Sequence, residues 1–182
     1  MKRIILTERD NNIIEFLTKY KCATTSTISN LFFNGSRRPT TRRLKHLKEH
    51  GFIKSSQEYV SIEQVHYINK KPTQLKHSCL CSEFACKMKL EKNILKEKTE
   101  FKIGNVRTDL LLITDHPKIY LVEICNTKPF DLNKYIKLKK SMEWKKLFPT
   151  FPDIIVVSDK KVNKSNELNI IHYDLNLNRV GF

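Results

Sequence analysis

Two groups of residues in this chain have the type and spacing to do chemistry. The first is acidic. Asp109 lies in the run RTDLLLIT and Glu123 in KIYLVEIC, and both runs are rich enough in Leu, Ile and Val to read as β-strands. Neighbouring strands can bring the two carboxylates to one end of a sheet, where such a pair can take Mg²⁺ through oxygen ligands. The second group is basic. Arg37, Arg38, Arg42, Arg43, Lys45 and Lys48 crowd the stretch between Ser36 and Gly51. An Arg fork can donate two parallel hydrogen bonds to guanine O6 and N7 or to a phosphate. Arg38 and Arg42, with Thr41 beside them, are expected at base edges, and Arg37, Arg43, Lys45 and Lys48 at phosphates. The plainer alternative for this group is the solvated face of an ordinary helix.

The whole-chain charge favours the first of those alternatives. Thirty-four Lys and Arg against nineteen Asp and Glu leave 182 residues with a net charge of +15. Nucleic acid is the natural counter-surface, because each phosphate contact releases condensed counterions. An anionic membrane is the rival, but no apolar run reaches spanning length and the start MKRIILTERD lacks a signal-peptide pattern. A cytoplasmic protein is therefore expected, with no membrane partner. The five cysteines, Cys22, Cys79, Cys81, Cys86 and Cys125, are expected to be reduced thiols. Cys79, Cys81 and Cys86 lack the usual C-x2-C spacing of a zinc site and read as small apolar side chains on a helix.

The elements that must position these groups can be read from periodicity. Thr7 and Asp10 resemble a capping box, and Ile13, Phe16, Leu17 and Tyr20 form one helical face. Thr24 or Thr25 can cap a short second helix carrying Ile28, Leu31 and Phe32, which ends at Asn34-Gly35. A third helix runs from about Arg37 to His50, with Thr40, Leu44, Leu47 and Gly51 on its inner side. Extended runs at Phe52-Ile53 and from Val65 to Ile68 complete a hairpin. Three helices followed by a hairpin make a winged helix-turn-helix, expected over residues 1–72. Over residues 73–182 the chain reads as a helix from about Gln74 to Asn93, three strands, a long helix from Asp131 to about Leu147, the strand DIIVVS and a last run near ELNIIHYDL that adds an edge strand. The class is α+β.

The order αβββαβ in the second half resembles the core of the PD-(D/E)xK nuclease superfamily. That resemblance implies that Asp109 and Glu123 would share a divalent cation, and that a Lys two residues after the Glu would orient the attacking water. Cys125 occupies that position here, leaving Lys128 or Lys134 to substitute. The alternative is a structural remnant in which Arg107 or a neighbouring lysine holds the two acids. Across about Leu6 to Asp159 the chain is similar to the replication-relaxation family of plasmids and mobile elements, which joins a winged helix to a degenerate nuclease-like domain. The carriers are RRLKHLKEHGFIK, LKHSCLCSEF, VRTDLLLI, IYLVEICNTKP and FPDIIVVSD. Where the family commonly has PD before the second long strand and an acid soon after the strand Glu, this chain has Thr108-Asp109 and Cys125-Asn126.

The expectation is a sequence-specific double-stranded DNA-binding protein, an accessory or regulatory factor in plasmid or mobile-element replication, mobilisation or transcription. It would act without catalysis and without a cofactor. Two alternatives remain open: an Mg²⁺-dependent endonuclease using Asp109, Glu123 and Lys128, and a homodimeric docking protein for a relaxase or replication initiator. In the second of these an exposed strand from Asn169 to Tyr173 would pair at its edge.

Overall fold

A computed structural model describes residues 5–57 and 63–181. The protein is α+β and divides into two compact units, Met1–Leu90 and Glu91–Phe182.

In the N-terminal unit the opening helix α1, Glu8–Tyr20, is fixed by the capping box expected from Thr7 and Asp10. The Asp10 carboxylate accepts from the Thr7 backbone N–H at 2.7 Å and from its hydroxyl at 2.6 Å. Ile13, Phe16, Leu17 and Tyr20 are buried along one side, so the i, i+3, i+4, i+7 spacing becomes the packed face. The chain then makes a two-residue strand, β1 (Ala23–Thr24), which the helical reading of this stretch had not included. Thr24 also caps α2 (Thr25–Phe32), accepting from the Thr27 N–H.

Helix α3 spans Arg37–Glu49 and buries Thr40, Leu44 and Leu47. Gly51, at φ +76°, stops it. Its N–H bonds the Lys48 carbonyl at 3.0 Å, while Phe52 N–H bonds the Leu47 carbonyl at 3.0 Å, the paired closure that a left-handed residue permits. Strands β2 (Lys54–Gln57) and β3 (Gln64–Tyr67) follow. They form an antiparallel sheet in the order β1-β3-β2, with Ser55 opposite His66. Residues 58–62, between β2 and β3, lie outside the described residues.

Helix α4, Leu75–Glu91, belongs to the first unit and not, as the expected boundary at 72/73 would have it, to the second. The reason is visible in its contacts. Cys79 Sγ lies 3.6 Å from Cys22 Sγ, and Cys86 Sγ donates to the Thr27 carbonyl at 3.8 Å. Cys79 and Cys86 thus tie α4 to the turn after α1 and to α2.

The second unit is a six-stranded sheet of order β4-β5-β6-β7-β8-β9. Strands β4 (Ile94–Ile103), β5 (Val106–Thr114) and β6 (Ile119–Ile124) make an antiparallel meander. Helix α5 (Leu132–Ser141) then crosses over to β7 (Asp153–Val157), parallel to β6. Strand β8 (Ile170–Tyr173) is parallel to β7, and β9 (Arg179–Val180) returns antiparallel. One core joins Leu111, Ile119, Leu121, Ile154 and Val156 of the sheet to Tyr135 and Leu138 of α5.

Two expectations need correction. The helix from Asp131 to Leu147 is shorter: Met142 turns left-handed at φ +58°, and a 3-10 turn, Glu143–Lys146, replaces the rest. That break lets Trp144 fold back, its indole N–H on the Lys139 carbonyl at 3.1 Å. The run from Asn169 to Tyr173 is not the sheet edge along its whole length either, because β9 pairs with its last two residues through His172–Val180 and Tyr173–Arg179.

Candidate nucleic-acid interface and carboxylate pair

Helix α3 separates its residues by face. With Thr40, Leu44 and Leu47 turned inward, Arg38, Thr41, Arg42 and Lys45 are exposed. They recur at i, i+3, i+4 and i+7, and so form one stripe. Lys48 is exposed beside it. Lys45 lies 3.8 Å from Glu49 in an exposed i, i+4 pair, an arrangement worth only tenths of a kcal/mol.

The other two arginines of the basic cluster have partners within the protein. Arg43 was expected at a phosphate, but its guanidinium closes on Asp10, with Nε 2.7 Å from Oδ1 and Nη2 on the other oxygen. Asp10 is fully buried, and a carboxylate taken out of water needs this countercharge. Burial alone would raise the Asp10 pKa; the hydrogen bonds from Arg43 and Thr7 outweigh it and hold the group at about 2. Arg37 bridges Ser26 and Glu63, joining the starts of α3 and α2 to β3. It remains largely exposed.

Between α3 and the small sheet lies a cleft of about 290 Å³, lined by Thr25, Thr41, Leu44, Lys45, Lys48, Ser55, Gln64 and His66. His66 is buried, with Nε2 3.0 Å from Thr25 Oγ1. Desolvation, reinforced by the positive charge of Lys48, pushes its pKa down to about 4, so the ring is neutral near pH 7. Thr25, Ser55 and His66 could not be picked from the sequence as a group, because only the β2–β3 pairing brings them beside α3.

In the second unit, Asp109 and Glu123 do come together at one end of the β5–β6 ladder, next to the Leu110–Val122 pair. Asp109 Oδ2 accepts from the Ile124 backbone N–H at 2.7 Å. Glu123 Oε1 accepts from Lys134 Nζ and, at 2.5 Å, from Tyr135 Oη. Lys134 also donates to the Arg107 carbonyl at 2.7 Å. Burial raises the Glu123 pKa although Lys134 and Tyr135 favour its charged form, and Asp109 adds to the rise. Burial likewise pushes Cys125, at the position where the resemblance places a Lys, up to about 12, with Glu123 contributing.

Lys128 is exposed in the loop; the lysine that reaches Glu123 is Lys134 of α5. Arg107 turns instead to Glu100 at 2.7 Å. Tyr135, fully buried on α5, was not among the expected site residues. Its hydroxyl role follows from its place next to Lys134, one turn into the helix that leaves β6. One oxygen of Glu123, Oε1, takes both Lys134 and Tyr135, and Asp109 Oδ2 takes a backbone N–H, so these two carboxylate oxygens are engaged by donors within the protein. Among the described residues, no group of three or more His, Cys, Asp or Glu is placed to hold a metal ion. No described helix is long and apolar enough to cross a membrane.

Compared with protein-family models, with curated protein sequences and with solved structures, the chain returns no match.

Proposed function

We propose that the N-terminal unit is a winged helix-turn-helix that binds duplex DNA, with α3 entering the major groove and β2–β3 serving as the wing. The observation that carries this reading is the division of α3: an apolar inner face, and an outer stripe of Arg38, Thr41, Arg42 and Lys45 open to a ligand, in a chain of net charge +15. The groove of B-DNA admits a helix, and guanidinium forks are the commonest readers of guanine there. The second unit is on this reading a degenerate relative of the PD-(D/E)xK fold that acts as a scaffold without cleaving DNA. The sharing of Glu123 between Lys134 and Tyr135 supports that part. The biological setting would be an accessory or regulatory role in replication, mobilisation or transcription of plasmid or mobile-element DNA.

The test is a gel of supercoiled plasmid incubated with the protein in Mg²⁺ or in EDTA, each with and without deproteinisation. Retarded plasmid in both, reverting on deproteinisation, is the expected result. Nicked or linear DNA that appears only with Mg²⁺, persists after deproteinisation and is lost in Asp109→Ala would make Asp109 and Glu123 a working nuclease site. Absence of retardation at low salt would remove the DNA reading.

A further inference from the structure

We propose that the cleft between α3 and the β2–β3 hairpin is a seat for one sugar-phosphate unit of the DNA backbone, held by Lys48 and by the hydroxyls of Thr25 and Ser55. This rests on the DNA reading above and extends the contact surface from α3 to the start of α2 and to the sheet.

The lining of the cleft supplies the chemistry. Lys45 and Lys48 bring two cationic side chains and Thr25, Thr41 and Ser55 bring three hydroxyls, and none of the described lining residues is a carboxylate, although Glu63 acts on His66 from nearby. Thr25 is the first residue of α2, so the positive end of that helix dipole adds to the lysines. Between these polar groups lie Leu44 and the aliphatic stems of the two lysines. Apolar walls with a cationic rim match a deoxyribose carrying a phosphodiester better than they match free phosphate, which has no apolar part.

The floor is His66, 3 % exposed, and its Nδ1 has no hydrogen-bond partner among the described residues. Continuity with the base-reading stripe is direct, because Thr41 and Lys45 belong to both surfaces. A duplex laid along Arg38 and Arg42 would therefore bring its backbone past the cleft mouth. Contacts of this kind fix register and orientation and carry no sequence information.

The two kinds of donor give different signatures in a binding experiment with the full chain and a short duplex. Lys48→Ala removes a charge that displaces counterions, so the slope of log K against log salt should fall in magnitude by about 0.9. Ser55→Ala and Thr25→Val remove neutral donors. Each should weaken binding about five- to tenfold, leave the salt slope unchanged, and lower affinity equally for preferred and random duplexes. The single Thr25 hydroxyl proton is donated at 3.3 Å to the Gln64 carbonyl, a long bond it would exchange for the phosphate, and Oγ1 lies 3.0 Å from His66 Nε2. Ser55→Ala, which removes no such bond among the described residues, is therefore the variant that decides if Thr25→Val unfolds. If wild-type protein binds DNA while Lys48→Ala and Ser55→Ala match it in affinity and slope, the seat is wrong and the DNA reading stands. If wild-type protein fails to bind any duplex at low salt, both fall. A Ser55→Ala loss confined to one DNA sequence would also overturn the seat, since it would make the contact a base contact.

Discussion

The guanidinium of Arg43 closes on the fully buried carboxylate of Asp10, joining α3 to the capping turn of α1, with Nε 2.7 Å from Oδ1. Asp10 thus does two jobs at once, since its other oxygen also takes the Thr7 N–H and hydroxyl of the capping box. Removing one partner of a buried pair leaves the other charged and unsatisfied, at a cost of about 3–5 kcal/mol. Arg43→Ala should therefore destabilise the N-terminal unit by about 3 kcal/mol in denaturant unfolding. A loss below about 1 kcal/mol would show that water reaches Asp10 freely.

The same pair gives a pH signature. The folded-state pKa of Asp10, about 2, lies below its ordinary value of 3.8. A depressed carboxyl pKa contributes stability above the unfolded value that disappears as pH falls through the folded value. The wild-type advantage over Asp10→Asn should therefore be constant above about pH 5 and shrink between about pH 4 and pH 2. Parallel curves for the two proteins across that window would mean that the Asp10 charge is not what Arg43 and Thr7 hold.

Arg38 and Arg42 are exposed and stand one turn apart, the spacing at which two side chains enter one groove from one helix face. Each bidentate contact to a base is worth about 1–3 kcal/mol of discrimination. The double variant Arg38→Ala, Arg42→Ala should still bind DNA but lose most of its preference between sequences. Selection of binding sites from a randomised duplex pool is the measurement. An unchanged consensus in the double variant would move base readout elsewhere.

How much of this was legible beforehand depended on whether the information was local. The inner face of α3 could be read from Thr40, Leu44 and Leu47 because helical period alone sets it. The capping box of Thr7 and Asp10 is local too. The partner of Arg43 was not legible, because Asp10 lies 33 residues away and the same sequence spacing on the helix suits a phosphate contact equally well. Glu123 and Asp109 could be paired because the resemblance to the nuclease-like fold places an Asp on the second strand and a Glu on the third at one end of the sheet, and the register beside Leu110–Val122 brings them there. Which lysine reaches them is a matter of where α5 begins, and Asp131 capping the Lys134 N–H sets that start. Lys128, three residues before the cap, stays in the loop. The early end of α5 was hidden because its basic and apolar pattern continues past Met142, and nothing in the period announces a left-handed residue there.

Cys22 and Cys79 are both thiols, with Sγ atoms 3.6 Å apart, close enough for a small adjustment to join them at the roughly 2.05 Å of a disulfide. Oxidation by peroxide would convert two thiols and one H₂O₂ to one disulfide and two waters. Thiol titration of the native, oxidised protein should then show loss of two of the five thiols, with peptides containing Cys22 and Cys79 linked. The bridge should raise the melting temperature of wild type, by constraining the unfolded chain between Cys22, after α1, and Cys79 of α4, and leave Cys22→Ser unaffected. A linkage to Cys81 or Cys86 instead would contradict the pairing.

Lys134 and Glu123 provide the sharpest test of the second unit as scaffold. Glu123 is mostly buried and its pKa is already raised by desolvation; Lys134 supplies the countercharge that keeps an ionised form tolerable there. In Lys134→Met the carboxylate keeps Tyr135 but loses that charge, so the protein should be less stable near neutral pH by about 3 kcal/mol. Because the folded pKa of Glu123 then rises further above its unfolded value, protonation favours the folded state. The deficit should shrink as pH is lowered through the folded pKa. Adding Glu123→Gln should restore much of the stability at neutral pH, since an amide needs no countercharge, and the double variant should lose the pH dependence. DNA retention by α3 should be unchanged in all three proteins. A Lys134→Met protein as stable as wild type at pH 7, or one whose deficit grows on acidification, would show that Lys134 does not neutralise Glu123, and would reopen the carboxylate pair as a site for a divalent cation.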